Sequence, residues 1–141
     1  MPYEYLDHLA DLGIRGIGST PEEALSEGAQ AMLAAMAEIS LVREQQALAQ
    51  LCTAQDIPAL FVEWLNELLY QRQVHDLLFA RARVTRLRPN GQGWTLEGTA
   101  WGEPFDPERH QVYAEVKAAT YYGLSYRVLE GHYIIQCVLD V

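Results

Sequence analysis

Long uninterrupted hydrophobic runs are missing from this sequence. Half of its 141 residues are apolar, yet charges break the longest apolar stretches every few positions, so nothing reads as a membrane-spanning helix or a signal peptide. The expected setting is soluble and cytoplasmic. Cysteine is scarce as well: Cys52 and Cys137 stand far apart, without C-x-x-C spacing or histidines at zinc-like intervals, which argues against a disulfide framework and a zinc site. They read as buried apolar thiols. Positive charge is the third shortage. Ten basic residues face nineteen acidic ones, and the net charge of −9 excludes a generic nucleic-acid binder, whose affinity would come from clustered Lys and Arg. Lysine is rarest of all, with Lys117 alone among nine arginines.

Several catalytic signatures are also absent. There is no G-x-S-x-G, and neither cysteine has a plausible activating histidine near it in sequence. No G-x-x-x-x-G-K-[ST] loop occurs, and "GIRGIGS" lacks both the lysine and the strand-to-helix context of a phosphate loop. An autonomous nucleotide-using enzyme is therefore not expected.

What is present is a clear alternation of periods. Tyr3 and Tyr5, then Leu12, Ile14 and Gly16, alternate with other residues and predict two short strands separated by the "DHLAD" turn. In "STPEEAL", Thr20 can cap a helix, Pro21 fits its first position and Glu23 completes a capping box. That helix should run to about Ala37 on an apolar stripe of Leu25, Ala29, Met32, Leu33 and Met36. "QALAQLCT" gives a weak strand signal, and "DIPALFVEWLNELLYQ" predicts a second amphipathic helix of about 15 residues, started by Asp56 and Pro58. From Asp76 the period becomes two, through "LLFARARVTRLR", the turn "PNGQG" and "WTLEGTAWGE", a long hairpin. "PFDPERHQ" reads as a loop and "VYAEVKAATYYG" as either strand or short helical turn. "LSYRVLEGHYIIQCVLDV" then gives two strands joined near Glu130 and Gly131. The fold class is α+β: a single two-layer domain over residues 1–141, largely antiparallel sheet with two helices.

The chemistry-bearing residues each have a plain structural reading beside the functional one. Asp7, Asp11, Asp140 and the α-carboxylate of Val141 are hard oxygen donors suited to Ca²⁺ or Mg²⁺. Asp7 and Asp11 are equally suited to turn and cap hydrogen bonds. His8 is a ligand, a general base or a turn residue, and His75, His110 and His132 receive no role. Lys117, with Glu115 nearby, is a solvated lysine unless its compact ammonium is wanted for a reason a guanidinium fork cannot serve. In "RARVTRLR", an ideal strand puts Arg81 and Arg83 on one face and Arg86 and Arg88 on the other, so no single basic strip is expected.

Taken together, "YEYLDHLADLGIRGIG", "STPEEAL", "LFVEWLNELLY", "WGEPF" with His110, "EVKAATY" and the terminal "LDV" resemble the archeases over nearly the whole chain, in order. The resemblance implies a non-catalytic accessory protein that activates the GTP-dependent tRNA-splicing and RNA-repair ligase by promoting guanylylation of the ligase and multiple turnover. RNA would then be met only through the ligase, and no membrane is involved. It further implies a divalent-metal site, calcium first with magnesium or manganese as alternatives, formed by Asp11, Asp140 and Val141. Asp7 and His8 would shape or flank that site. Lys117 and Glu115 fall in a segment that the family uses with its ligase, Lys117 either neutralising a phosphate or pairing with a ligase carboxylate. Leu9 and Tyr122 depart from the threonine and histidine common in the family, removing no proposed metal oxygen. Two other classes stay open: an adaptor for other RNA-processing enzymes such as a tRNA methyltransferase, and a metal-dependent hydrolase suggested by the acidic cluster alone.

Overall fold

The structure, a computed structural model, describes residues 2–7 and 11–141, and of Leu6 and Asp7 only the backbone. The predicted turn residues His8, Leu9 and Ala10 lie outside the described residues. Two strands, β1 (Tyr3–Asp7) and β2 (Asp11–Gly18), pair antiparallel on either side of them. Helix α1 (Pro21–Met36) begins as predicted, with the Thr20 hydroxyl accepting the Glu23 amide at 3.1 Å. The reciprocal half of the capping box is altered: the Glu23 carboxylate takes the Ser19 hydroxyl instead. A 3₁₀ turn at Ile39–Leu41 leads to β3 (Gln46–Ala54).

Helix α2 (Ile57–His75) is capped by Asp56, whose carboxylate accepts the Ala59 amide at 2.8 Å. It runs 19 residues rather than about 15, ending only where Asp76 takes a left-handed conformation (φ 51°). The long hairpin follows as β4 (Leu77–Pro89) and β5 (Trp94–Pro104), then the expected loop, then β6 (Ala118–Leu129) and β7 (His132–Asp140). The ambiguous "VYAEVKAATYYG" divides between irregular chain up to Lys117 and the start of β6.

All strand pairings are antiparallel, and the α+β class holds. The strands divide between two sheets, ordered β1-β2-β7-β6 and β3-β5-β4. Helix α1 packs on β2 and β4, and α2 on β6 and β3, so each helix touches both sheets. This explains why α2 buries Ala59 and Val62 as well as Leu60, Phe61, Trp64, Leu65 and Leu68. The centre holds Phe61, Trp64, Leu65, Leu25, Ile14 and Ile135, all 0% exposed. Close approach of α1 to β2 on one side and to α2 on the other depends on two glycines. A Cβ on Gly16 would stand 2.1 Å from the Ala24 carbonyl oxygen, and one on Gly28 2.5 Å from the Phe61 ring.

Each helix also fastens one sheet edge through an amide side chain. Gln30 of α1 donates to the Ala80 carbonyl at 2.8 Å and accepts from the Ala82 amide, occupying the free side of β4. Asn66 of α2 does the same to Ala119 of β6, at 3.1 and 2.9 Å. Unpaired strand edges invite other chains, and these two amides satisfy part of each edge internally.

One expectation is corrected. A break in register at Thr85 places Arg86 opposite Glu97, so Arg81, Arg83, Arg86 and Arg88 face Trp101, Thr99, Glu97 and Thr95 on one side of the sheet. A β-bulge inserts one residue and so reverses the alternation beyond it. The shared face is nevertheless largely neutralised, three glutamates answering four arginines. Arg81 pairs with Glu44 and stacks over Trp101, Arg83 pairs with Glu27, and Arg86 and Arg88 both approach Glu97. Both cysteines are free and buried, and burial pushes each thiol up to about 12, as expected of apolar packing residues.

Candidate functional site

Five of the predicted residues lie at one end of the four-stranded sheet. Strand β7 lies between β2 and β6, and its last residue, Asp140, stands opposite Asp11 on one side and Ala118 on the other. The backbone amide of Lys117 donates to the Asp140 carbonyl at 2.8 Å. Across β2, Asp7 is paired with Leu12, so β1 brings its acidic end to the same rim. Val141 follows directly and is 39% exposed. His8 is outside the described residues.

Direct opposition in an antiparallel pair brings Cβ atoms to about 5 Å and turns both side chains to the same face. Asp11 and Asp140 therefore hold two carboxylates against each other, one half-buried and one exposed, and neither forms an ion pair among the described residues. Like charges so placed are destabilising unless a cation lies between them. Among the described residues no group of three or more His, Cys, Asp and Glu side chains converges. A cation would thus need Asp11, Asp140 and further oxygens, from Val141 or water. Hard oxygen donors of this kind match Ca²⁺ or Mg²⁺ chemistry.

The segment leading into β6 is tied down mainly through its backbone. Tyr113 donates its amide to the Met36 carbonyl, Val112 bridges to Ala37, and the Asn66 clamp holds Ala119. Val116 is buried between exposed Glu115 and Lys117. The two exposed residues form no salt bridge with each other. Instead both line a cavity of about 420 Å³ shared with Asn66, Tyr70 and Arg72 of α2. Arg72 was not legible as a site residue, because the sequence pattern ends α2 at Gln71 and leaves the next residue unplaced.

Behind this segment lies a buried polar network that the sequence did not announce. Glu103, at the end of β5, accepts hydrogen bonds from the Arg109 guanidinium, the Arg43 backbone amide at 2.7 Å and His110 Nε2 at 2.9 Å. His110 Nδ1 accepts from the Asp106 amide at 2.9 Å, so Nε2 carries the proton and donates it to Glu103. Burial alone would raise the Glu103 carboxyl, but these donors outweigh it and hold the group down at about 2. Every member has a partner, and the network braces the 105–113 loop against the end of β5.

The comparisons with known proteins agree over the whole length. The model of the Archease protein family matches residues 3–141. "Protein archease" of Methanopyrus kandleri is 31% identical over 141 residues, covering all of both chains, and that of Pyrococcus furiosus is 34% identical over 140 residues, covering 99% of this chain and 98% of its own. The solution structure of Methanobacterium thermoautotrophicum protein 1598 superposes with a TM-score of 0.88 at 31% identity, covering 99% of each chain. A Thermotoga maritima crystal structure described as an archease and possible chaperone shares the fold at a TM-score of 0.61 and 18% identity, covering 96% of this chain and 94% of its own. Matched by the family model over residues 3–141 and by such relatives from end to end, this chain belongs to the archease family.

Proposed function

We propose that this protein is a non-catalytic accessory factor that activates the GTP-dependent tRNA-splicing and RNA-repair ligase, promoting its guanylylation and multiple turnover. The observation that carries the reading is the opposition of Asp11 and Asp140 beside the Lys117 backbone, a paired acidic rim with no ion-pair partner among the described residues. A divalent cation held by Asp11, Asp140 and a Val141 oxygen would supply positive charge at an otherwise repulsive edge. Asp7 is brought to the same rim by β1, and Glu115 and Lys117 stand exposed next to it.

The protein's own contribution is positional. Strand pairing fixes the two carboxylates, and the Asn66 clamp fixes where β6 begins, so Lys117 is presented on a rigid edge rather than a loose loop. Its net charge of −9 disfavours direct binding to RNA, so contact with nucleic acid runs through the ligase. Transfer of guanylate from labelled GTP to purified ligase, with and without this protein, tests the reading. Faster formation of guanylylated ligase supports it, and an unchanged rate with Ca²⁺, Mg²⁺ or Mn²⁺ present contradicts it. The description of the Thermotoga protein as a possible chaperone motivates a second reading, an adaptor for another RNA-processing enzyme such as a tRNA methyltransferase. Recovery of such an enzyme without the ligase in affinity purification from native cells would favour it.

A further inference from the structure

Two sheets have four edges, and three of these are blocked against pairing with another chain. Strand β1 is five residues long and carries Glu4 and Asp7. Strand β6 is broken in register between Thr120 and Ser125, carries Arg127, and gives its Ala119 amide and carbonyl to Asn66. Strand β4 carries four arginines and two register shifts, and the Gln30 and Ser26 side chains accept its Ala82 and Val84 amides. Charge, irregular register and side-chain clamps keep sheet edges from recruiting strands. Strand β3 has none of them. Its nine residues include no charge and no proline, and they pair with β5 without a register shift. On its other side no group from another element bonds its backbone among the described residues. The one side-chain contact there is Gln50's own, Nε2 to the Leu48 carbonyl at 3.5 Å.

The side chains around this edge say what fits it. Ala47, Ala49, Leu51 and Thr53 are exposed on the outer face, Leu51 at 65%, while Leu48, Gln50, Cys52 and Ala54 turn inward. Beside Cys52 stand Glu63 and Glu67 of α2. The Cys52 thiol donates to the Glu63 carbonyl at 3.9 Å, and burial, then the Glu67 and Glu63 carboxylates, push that thiol up to about 12. Neither carboxylate has an ion-pair partner among the described residues, Glu67 taking only the Gln71 side-chain amide. At the two ends of β3, Glu44 is held by Arg81 and Asp56 by the Ala59 amide, which leaves Arg43, exposed, before the strand.

We propose that the open side of β3 receives an extended segment of a partner protein with Lys or Arg at alternate positions, adding a fourth strand to the β3-β5-β4 sheet. Side chains of a strand alternate between its faces, so basic residues spaced by two all turn to the α2 side, toward Glu63 and Glu67. The residues between them lie beside Leu51 on the outer face. Backbone hydrogen bonds supply the affinity and the alternate side chains the selection. Charge complementarity names the occupant: a second copy of this chain would bring the same two glutamates and a net charge of −9 to the same edge. The inference is independent of the ligase reading.

Amide hydrogen exchange read by NMR tests it, with the blocked hexapeptide acetyl-valyl-lysyl-valyl-lysyl-valyl-lysinamide as the probe. At saturating peptide the alternate amides of β3 on its open side should slow about tenfold or more, while those bonded to β5 stay unchanged. The same peptide N-methylated throughout, which has no backbone donors, should slow none of them. The glutamyl counterpart should bind about fivefold more weakly than the lysyl peptide, and the lysyl peptide should lose a similar factor on the double variant Glu63→Gln, Glu67→Gln, the range of exposed ion pairs. Neither glutamate is buried, so the variant keeps its fold, which unchanged exchange at Ile14 in the core verifies. No slowing with the lysyl peptide, equal affinity for the glutamyl one, or full affinity in the double variant would overturn the proposal. Slowing of the same amides with rising protein concentration in the absence of peptide would also overturn it, since the occupant would then be a second copy.

Discussion

Replacing Asp11 by Asn should change stability in opposite directions with and without metal. Asp11 and Asp140 are direct cross-strand partners, so their carboxylates sit on one face of the sheet. At a separation of about 5 Å, Coulomb's law gives a repulsion of about 0.8 kcal/mol in water and about 3 kcal/mol at an effective dielectric constant of 20. Asp140 is exposed and Asp11 only half-buried, so the watery limit governs and about 1 kcal/mol is the expected relief. In chelator the Asn variant should therefore melt higher than the wild type, by about 3 °C for a chain of this size. In Ca²⁺ at a hundredfold excess over the dissociation constant, the wild type gains about 2.7 kcal/mol that the variant lacks, and the order reverses. Calorimetric unfolding in chelator and in millimolar Ca²⁺ reads both arms. A variant that melts lower in chelator would show that Asp11 is a turn-stabilising residue, and equal Ca²⁺ shifts in the two proteins would refute the shared cation.

Three further outcomes follow from the surrounding structure. Glu103→Gln should destabilise by about 2 kcal/mol, the loss of a buried ion pair discounted for the one-third exposure of Arg109, because the amide turns an N–H toward a converging donor; denaturant unfolding measures it. The Glu103 carboxyl is held down at about 2 against an ordinary value near 4.5, so its stabilisation is complete above about pH 4.5 and is lost as pH falls toward 2. An acid-unfolding curve should accordingly be steeper for the wild type than for Glu103→Gln across that window. Asn66→Ala removes two hydrogen bonds to Ala119 and should cost about 2 kcal/mol, with amide exchange at Ala119 rising more than at Ile14 in the core.

Local signals in this chain were readable because their causes are local. Thr20 with Pro21, and Asp56 with Pro58, set helix starts through bonds to residues three positions on, and Glu130-Gly131 marks its turn through positive φ at both positions. The bulge at Thr85 was not readable, since an extra residue in β4 is defined only against β5, and so the four arginines were assigned to two faces instead of one. Helix α2 was read one turn short because residues 72–75 are half-buried or exposed and add no buried apolar side chain to the stripe, and Arg72 was lost with them. The division into two sheets is equally non-local. It shows only in the wide buried face of α2, once β3 and β6 are known to flank it. The opposition of Asp11 and Asp140 spans nearly the entire chain. Alternation showed that both lie beside strands, and only family resemblance linked them before the register did.

Multiple-turnover RNA ligation tests the account most directly. With catalytic ligase, excess RNA ends, GTP and a divalent cation, wild-type protein should raise the number of joined ends per ligase well above one. Asp11→Asn and Asp140→Asn, folded by the same calorimetric criterion, should leave it near the unassisted level. Full stimulation by both variants would contradict the role of the acidic rim, and no stimulation by the wild type would contradict activation itself.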